Sequence, residues 1–457
     1  MRILGSLVIL LSVIFTIACA EEPVPKHNVI LIVIDTLRAN HMSHYGYDLR
    51  TDVNLDGFRD QSTLFTRCYA PAPWTLPSVA SLITGLFTAR HQMNVPGNKL
   101  PDDALTLAEL YKQNGWTTVG YSFNPGISRR TAYDQGFDQW DDHLGSSKHY
   151  PDISDMFLRV RNWLDTDPRE PFFLYLQPMN CHGPYRTPRR FLGGLLGRRP
   201  AKGFKYYDER MKAVLERRDR SGITQDYLES LVEQYDTAVW YSSYQLSVFF
   251  KLLKSRGVYD NSWIILTSDH GEELYDHGGF SHGYSLHEEV LHVPLYIKRP
   301  GQRKGVTVSE QVSLMDVYPT LAEIMGADVD HLLDGQSLVP YLDEEQSTED
   351  LAAARTQLHQ AGWKSRCDGR AIVSGNYKLI EIERDWSSDQ RKVLLFDIEL
   401  DPAEKQNLAE KKPELVRRLR NKLDDRFAHY RSLALSTPEN VLDEMDTARL
   451  KALGYLE

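Results

Sequence analysis

Asn28-Val29-Ile30-Leu31-Ile32-Val33-Ile34-Asp35 sets an unbroken β-branched and aliphatic run between an amide and a carboxylate. Such a run, without polar alternation, reads as a strand covered on both faces within a parallel sheet. It stops at an acid. Three more segments behave alike: Thr117 to Phe123 ends at Asn124, Phe172 to Gln177 is followed by His182, and Trp263 to Thr267 runs into Ser268-Asp269-His270. Helical stretches lie between them, including Ala104 to Asn114 and a long run from Gln225 to Arg256 that Gly257 closes. Alternating strands and helices imply an open α/β sheet, mixed but mainly parallel, flanked by helices. Ligands of such sheets bind beyond the carboxyl ends of the strands. Those ends carry Asp35, Asn124, His182, Asp269 and His270.

The pattern changes after Pro300-Gly301. Gln311 to Met325 reads as one more helix, and an acidic linker runs from Asp343 to Asp350. Short strands follow at Ala371–Ser374, Tyr377–Ile380 and Val393–Phe396, with a turn signal at Ser374-Gly375-Asn376 and a terminal helix from Pro413 to Tyr430. This predicts a large part over residues 28–342, a smaller unit of antiparallel sheet plus helix over 351–435, and a tail over 436–457.

The chain has 457 residues, of which 42% are hydrophobic and 25% charged, an ordinary globular composition. Its net charge of -10 argues against a nucleic-acid surface, because no basic field is available to release phosphate counterions. Basic clusters at Arg198-Arg199 and Arg217-Arg218 with Arg220 read as solvated surface or as contacts for an acidic ligand.

The N-terminus has the form of an export signal over residues 1–20: Arg2, an apolar core from Ile3 to Ile17, and the small residues Ala18-Cys19-Ala20. The core is short of the ~20 residues a membrane span needs. Ile-Ala-Cys also resembles a bacterial lipoprotein signal, in which Cys19 is lipidated. Both alternatives predict export, to the periplasm or to a membrane-anchored lipoprotein. Cys68, Cys181 and Cys367 remain, an odd number without a C-x-x-C pair, so no disulfide framework is indicated.

The segment Ala72-Pro-Trp-Thr75-Leu-Pro77-Ser-Val79 poses a sharper question. A Thr at a helix N-cap with Pro77 in the first turn is a common helix start. Yet a helix N-terminus also attracts anions, and a Thr hydroxyl activated by a base or a cation is a nucleophile. Asp35, Asp269 and His270 are ligand types able to hold such a cation.

In order along the chain, NVILIVIDTLRANHMSHYGY, PWTLPSVASLITGL, CHGPY, TSDHGEE and HGYSLHEEVLHVPLYIKRPG resemble the sulfatase family of the alkaline phosphatase superfamily. VSLMDVYPTLAEIMG, GNYKLIE and LFDIELDPAEKQNLAE resemble its smaller C-terminal unit, and LKALGYL its tail. The resemblance spans Asn28 to Leu456 and implies an alkaline phosphatase-like fold. It implies metal ligands at Asp35, Asp269 and His270, with Thr75 at the nucleophile position and in the same ligand set. His182, in His-x-Pro, matches a residue that contacts the ester oxygens and leaving group, and His282 lies near a catalytic Lys position. His277, His287 and His292 are read as structural.

The departures carry equal weight. Family sulfatases oxidise a Cys or Ser to formylglycine, which requires two hydrogens on Cβ; Thr carries a methyl there. Val79 stands where an Arg is expected, Thr36 where the second Asp of a pair is expected, and the usual Lys/His pair is absent around Asn124. What remains resembles the single-metal, threonine-nucleophile phosphotransferases of the superfamily. No Asp-x-x-x-His falls between Thr75 and Asp269, so a second zinc is not expected.

These readings predict a metal-dependent hydrolase or transferase acting on sulfate or phosphate esters through Thr75, His182 and His282. One divalent cation is expected, Ca, Mg or Mn, with Zn as an alternative. The expected partner is an anionic ester, on a glycan, lipid or small molecule, and not a nucleic acid. The competing reading is a degenerate sulfatase-fold protein that binds an anionic glycan or lipid head group without turnover.

Overall fold

The computed structural model of the chain describes residues 26–142, 151–327, 329, 333–342, 356–363, 367–385 and 390–438. The export signal with Cys19, the linker at 343–350 and all but the first residues of the tail lie outside the described residues. Strands β1 (Asn28–Val33), β2 (Thr63–Tyr69), β3 (Thr117–Ser122), β4 (Gln139–Asp141), β5 (Phe172–Gln177) and β6 (Ser262–Thr267) are followed by a two-stranded ribbon. The ribbon is β7 (Glu273–Leu274) with β8 (Phe280–Ser281), and β9 (His292–Lys298) and β10 (Val306–Ser313) come next. Eight strands form one sheet in the order β10-β2-β9-β6-β1-β5-β3-β4. Only β9 runs against its neighbours β2 and β6; the other pairs are parallel, which is the mixed, mainly parallel sheet expected.

The central strand explains why its sequence has no polar alternation. Val29, Leu31 and Val33 enter one core with the helices Thr75–Thr84, Leu107–Gln113 and Val317–Met325. Ile30, Ile32 and Ile34 enter a second core with the helices Ile153–Leu164 and Gln225–Ser255. Both faces of the strand are therefore dry, as its composition predicts.

Two helix expectations shift. The first starts at Leu107 because Thr106 accepts from the Glu109 amide and Glu109 answers to the Thr106 amide, a reciprocal cap. Gln311 to Ser313 are the end of β10, paired with Arg67 to Tyr69 of β2, and the helix is confined to Val317–Met325. Val312 is drawn into the sheet core, and Ser313 caps the turn that follows.

The second sheet is antiparallel, β11 (Thr356–Trp363), β12 (Cys367–Ser374), β13 (Tyr377–Asp385) and β14 (Lys392–Asp397) in chain order. Ile372, Leu379 and Leu395 pack on Leu419, Leu423 and Phe427 of the helix Pro413–Ser432. Ala371, Val373, Ile380 and Phe396 point the other way, onto Leu286, Val290, Leu291 and Tyr69 of the larger part. Cys68, Cys181 and Cys367 are buried free thiols. Among the described residues no helix is long and apolar enough to cross a membrane.

Candidate active site

Register brings the polar strand ends level. Val33 pairs with Thr267, and Ser122 with Gln177. Asp35, Asn124 and Asp269 each stand two residues beyond the last residue of β1, β3 and β6, so their side chains meet in the crevice over the sheet. Thr36 reaches it in a left-handed conformation, φ 58, costly for a β-branched residue. That turn aims its amide at Asp269 Oδ1, 3.2 Å away, while its hydroxyl donates to the Asp35 carbonyl at 2.7 Å.

The helix beginning at Thr75 closes the crevice, and here the capping expectation is corrected. The N-cap is Trp74, in extended backbone and with no side-chain cap; Thr75 is the first helical residue. Its Oγ1 lies 3.1 Å from His270 Nε2 and 3.4 Å from Asn124 Nδ2. Ser78, one turn on, donates to the Asp269 carbonyl at 2.5 Å and ties the helix to the end of β6.

Asn124 bridges the set, donating to Asp35 Oδ2 at 2.6 Å as well as to Thr75, and Gln177 Nε2 reaches the same Asp35 oxygen at 3.4 Å. The His270 amide donates to Asp269 Oδ1 at 3.0 Å, and His270 Nδ1 donates to the Gly271 carbonyl at 2.8 Å. With that proton on Nδ1, Nε2 presents a lone pair toward Thr75.

The two remaining predicted residues join the same cluster. The His282 ring lies 4.5 Å from that of His270 and 4.9 Å from that of His182, centroid to centroid. His182 Nδ1 donates to the Gly183 carbonyl at 2.7 Å, and His282 Nδ1 meets Glu272 Oε2 at 3.0 Å. Asp35, Thr75, His182, Asp269, His270 and His282 are thus one constellation, none more than 1% exposed.

Burial dominates its electrostatics. It pushes the Asp35 carboxyl up to about 6, with neighbouring Asp269 adding to the rise and His182, His270 and Asn124 opposing it. Burial pushes Asp269 up to about 7 against the amides of Thr36 and His270, and it lowers His270. Asp35 Oδ1 and Asp269 Oδ2 are buried without a hydrogen-bond partner among the described residues. One ligand atom from each of Asp35, Asp269 and His270 falls within 4.8 Å of the others. Two orphaned hard oxygens and one imidazole lone pair fit a divalent cation, which would relieve both the burial cost and the repulsion.

Sequence reasoning placed Asn124 at a strand end without giving it a task, and it missed Gln177 and Glu272. Gln177 was visible as the last residue of a buried strand. Glu272 lies in an acidic run that reads as surface, although it is fully buried.

Fold and site together define an alkaline phosphatase-like ester hydrolase framework. A family model described as Sulfatase matches residues 27–327, and one described as N-sulphoglucosamine sulphohydrolase, C-terminal, matches residues 275–431. The chain belongs to the sulfatase family, whose members are metal-dependent hydrolases of sulfuric and phosphoric esters. It is 24% identical to human arylsulfatase K over 444 residues, covering 87% of this chain and 81% of that protein. It is 23% identical over 510 residues to an N-acetylglucosamine-6-O-sulfatase of Bacteroides thetaiotaomicron, covering 91% and 90%. The fold superposes on a phosphonate monoester hydrolase of Agrobacterium radiobacter with TM-score 0.69 at 22% identity, over 89% of this chain and 96% of that one. A protein solved with its substrate D-glucosamine-2-N,6-O-disulfate gives TM-score 0.70 at 21% identity, over 89% and 99%.

Proposed function

We propose that this chain is an exported metal-dependent hydrolase or transferase in which Thr75 takes the place of formylglycine as nucleophile. Its larger part is residues 28–342, its smaller part residues 351–435. The observation that carries the reading is the Thr75 hydroxyl, held 3.1 Å from the His270 lone pair beside two orphaned carboxylate oxygens. Asp35, Asp269 and His270, with Thr75, would hold one divalent cation, Ca, Mg or Mn, with Zn as the alternative; it would supply Lewis-acid stabilisation of the charge that develops on the ester.

The chain's own residues account for the remaining chemistry. Thr75 Oγ, its proton released to water, attacks phosphorus or sulfur and forms a Thr ester as the bond to the leaving oxygen breaks. Asn124 donates into this space and fixes Thr75 relative to Asp35. His182 and His282 exchange a proton with the leaving oxygen, a task typically worth ~10²- to 10⁴-fold. Water, or an acceptor hydroxyl in a transferase, then cleaves the Thr ester. Because formylglycine chemistry is closed to Thr, phosphate or phosphonate esters are favoured over sulfates.

Elemental analysis of the purified protein, with a panel of aryl sulfates, phosphate monoesters, phosphate diesters and phosphonate monoesters, tests this. About one divalent ion per chain is expected, with phosphate or phosphonate ester turnover that Thr75→Val abolishes while folding is retained. Full turnover by Thr75→Val, or strong sulfatase activity by the native chain, overturns the role of Thr75.

The second reading, an anion-binding protein without turnover, rests on Thr36. Standing where the family places an Asp, it turns its hydroxyl to its own backbone. A metal-loaded chain inert on every ester yet binding a sulfated or phosphorylated glycan or lipid would favour it.

A further inference from the structure

The structure assigns Glu272 as the positioning residue of the catalytic cluster, fixing the orientation and tautomer of His282; the inference rests on the proposed function for its kinetic consequence but not for its geometry. Three buried histidines crowd together, and each must be told which nitrogen carries its proton. His270 and His182 are settled by backbone carbonyls, those of Gly271 and Gly183. His282 is different, because its Nδ1 meets a side-chain carboxylate, Glu272 Oε2, at 3.0 Å. Neither partner is exposed: Glu272 is 0% and His282 1% accessible.

Glu272 is itself held, its carboxylate by one side chain and its backbone by two further constraints. The Tyr185 hydroxyl donates to its other oxygen, Oε1, at 3.3 Å. Arg38 Nη1 donates to the Glu272 backbone carbonyl at 3.0 Å, and the Arg38 guanidinium is locked by two bonds to Asp276 at 2.8 and 3.0 Å. Behind it the chain passes through Gly271, where a Cβ would lie 2.0 Å from the Glu289 carbonyl oxygen and 3.2 Å from Arg38 Cγ. Position 271 therefore admits only glycine, and the tight passage carries His270 and Glu272 into one site. His270 faces Thr75 while Glu272 faces His282.

A carboxylate at Nδ1 accepts that N–H, which leaves the Nε2 edge of the ring, flanked by His182 and His270, for proton exchange with the ester. The same arrangement orients the imidazole in Ser-His-Asp enzymes, where the acid stays ionised and acts through the histidine. A carbonyl selects a tautomer as well, but a carboxylate, with its full negative charge, stabilises the ring more strongly while it holds the transferred proton. This makes His282 the better supported of the two histidines for proton transfer. With Nδ1–H held by Glu272, the doubly protonated ring passes its Nε2 proton to the leaving oxygen as the bond to phosphorus or sulfur breaks, and takes one back from the water or acceptor hydroxyl that cleaves the Thr ester.

Glu272→Gln, Glu272→Asp and the native chain test this, each loaded with the metal found in the native protein. With histidine-ring ¹⁵N labelling, Glu272→Gln should lose the protonated-Nδ1 pattern of His282, assigned with His282→Gln, while the His270 and His182 signals stay. In turnover, kcat should fall roughly 10²-fold or more with KM little changed. The fall should be larger for an alkyl ester, whose leaving group needs a proton, than for the matching 4-nitrophenyl ester, and Glu272→Asp should recover part of it. An unchanged His282 ring spectrum overturns the inference. So does an equal loss on both esters accompanied by a fall in thermal midpoint, which marks a structural role. Should the native chain turn over no ester, the ring spectrum still decides whether Glu272 orients His282, and only the functional reading falls.

Discussion

Two clusters of histidine and carboxylate, each drawing on the stretch from Asp269 to Glu289, do opposite things. At the strand ends, Asp35 and Asp269 lie buried side by side, each with an oxygen that has no hydrogen-bond partner among the described residues, and their carboxyls are pushed up to about 6 and about 7, by burial first. At the seam between the two sheets, His277 and His287 stack 3.7 Å apart and 7° from parallel beside Glu404. Like the first set, His277, His287 and Glu404 have the spacing of a metal site. But this cluster brings its own cation. Lys378 of β13, fully buried, lies 3.0 Å from Glu404 Oε1 and 2.9 Å from Glu288 Oε1. His287 Nδ1 donates to Glu404 Oε2 at 2.8 Å, and His277 Nδ1 to Glu289 Oε1 at 2.6 Å. Burial would raise Glu404, yet Lys378 and then His287 outweigh it and hold the carboxyl at about 2. Ligand spacing is common to both clusters; uncompensated charge is found in one.

The sharpest way to break this comparison is to remove one acid from the first cluster and the cation from the second. Asp269→Ala is expected to take bound metal from one per chain to none and turnover to background, with the metal-free fold as stable as before or more so, since a buried repulsion is relieved. Elemental analysis and thermal melts check it; retained metal at native stoichiometry rejects Asp269 as a ligand. Lys378→Met should do the reverse, keeping the metal but costing about 3–5 kcal/mol of stability, because Glu404 is left buried, and Glu288 partly buried, without the lysine. Denaturant melts of the two variants should therefore cross over with their metal contents.

Smaller in size, but opposite in sign, are the pH dependences. Asp35 and Asp269 rise in the folded metal-free chain from an ordinary 3.8, so their contribution is present below pH 3.8 and is lost as pH climbs through about 6 and 7. Added divalent metal should cancel that loss. Glu404 falls from 4.5 to about 2, so its contribution is present above pH 4.5 and is lost as pH drops through about 2. Thermal midpoints against pH, with chelator and with metal, separate the two; a metal-free midpoint that rises between pH 5 and 7.5 would falsify the strand-end assignment.

Much of this was legible along the chain. The run Val29–Ile34 announced a doubly covered strand because both of its faces are dry, and the polar residues just past such strands marked the crevice. His277 and His287, structural on the sequence reading, meet Glu289 and Glu404. Less was legible where burial was shared. Thr63–Tyr69 has polar residues within the strand and went unread, and Gln311–Ser313 looked helical because its apolar spacing ran on into a true helix.

Sequence by itself determined the layered α/β plan, the acids and amide at the strand ends, and the impossibility of formylglycine at Thr75, since each depends on a residue's own chemistry or on burial along a single element. Only the tertiary structure decided that Trp74 and not Thr75 sits at the N-cap, and that β9 runs against its neighbours. It alone decided that His182 and His282 meet, that buried Glu272 stands behind one of them, and that Lys378 reaches Glu404. Those contacts depend on crossover order and sheet register. Periodicity records how deeply a residue is buried, whereas the partner it meets there is set by how distant strands and helices pack.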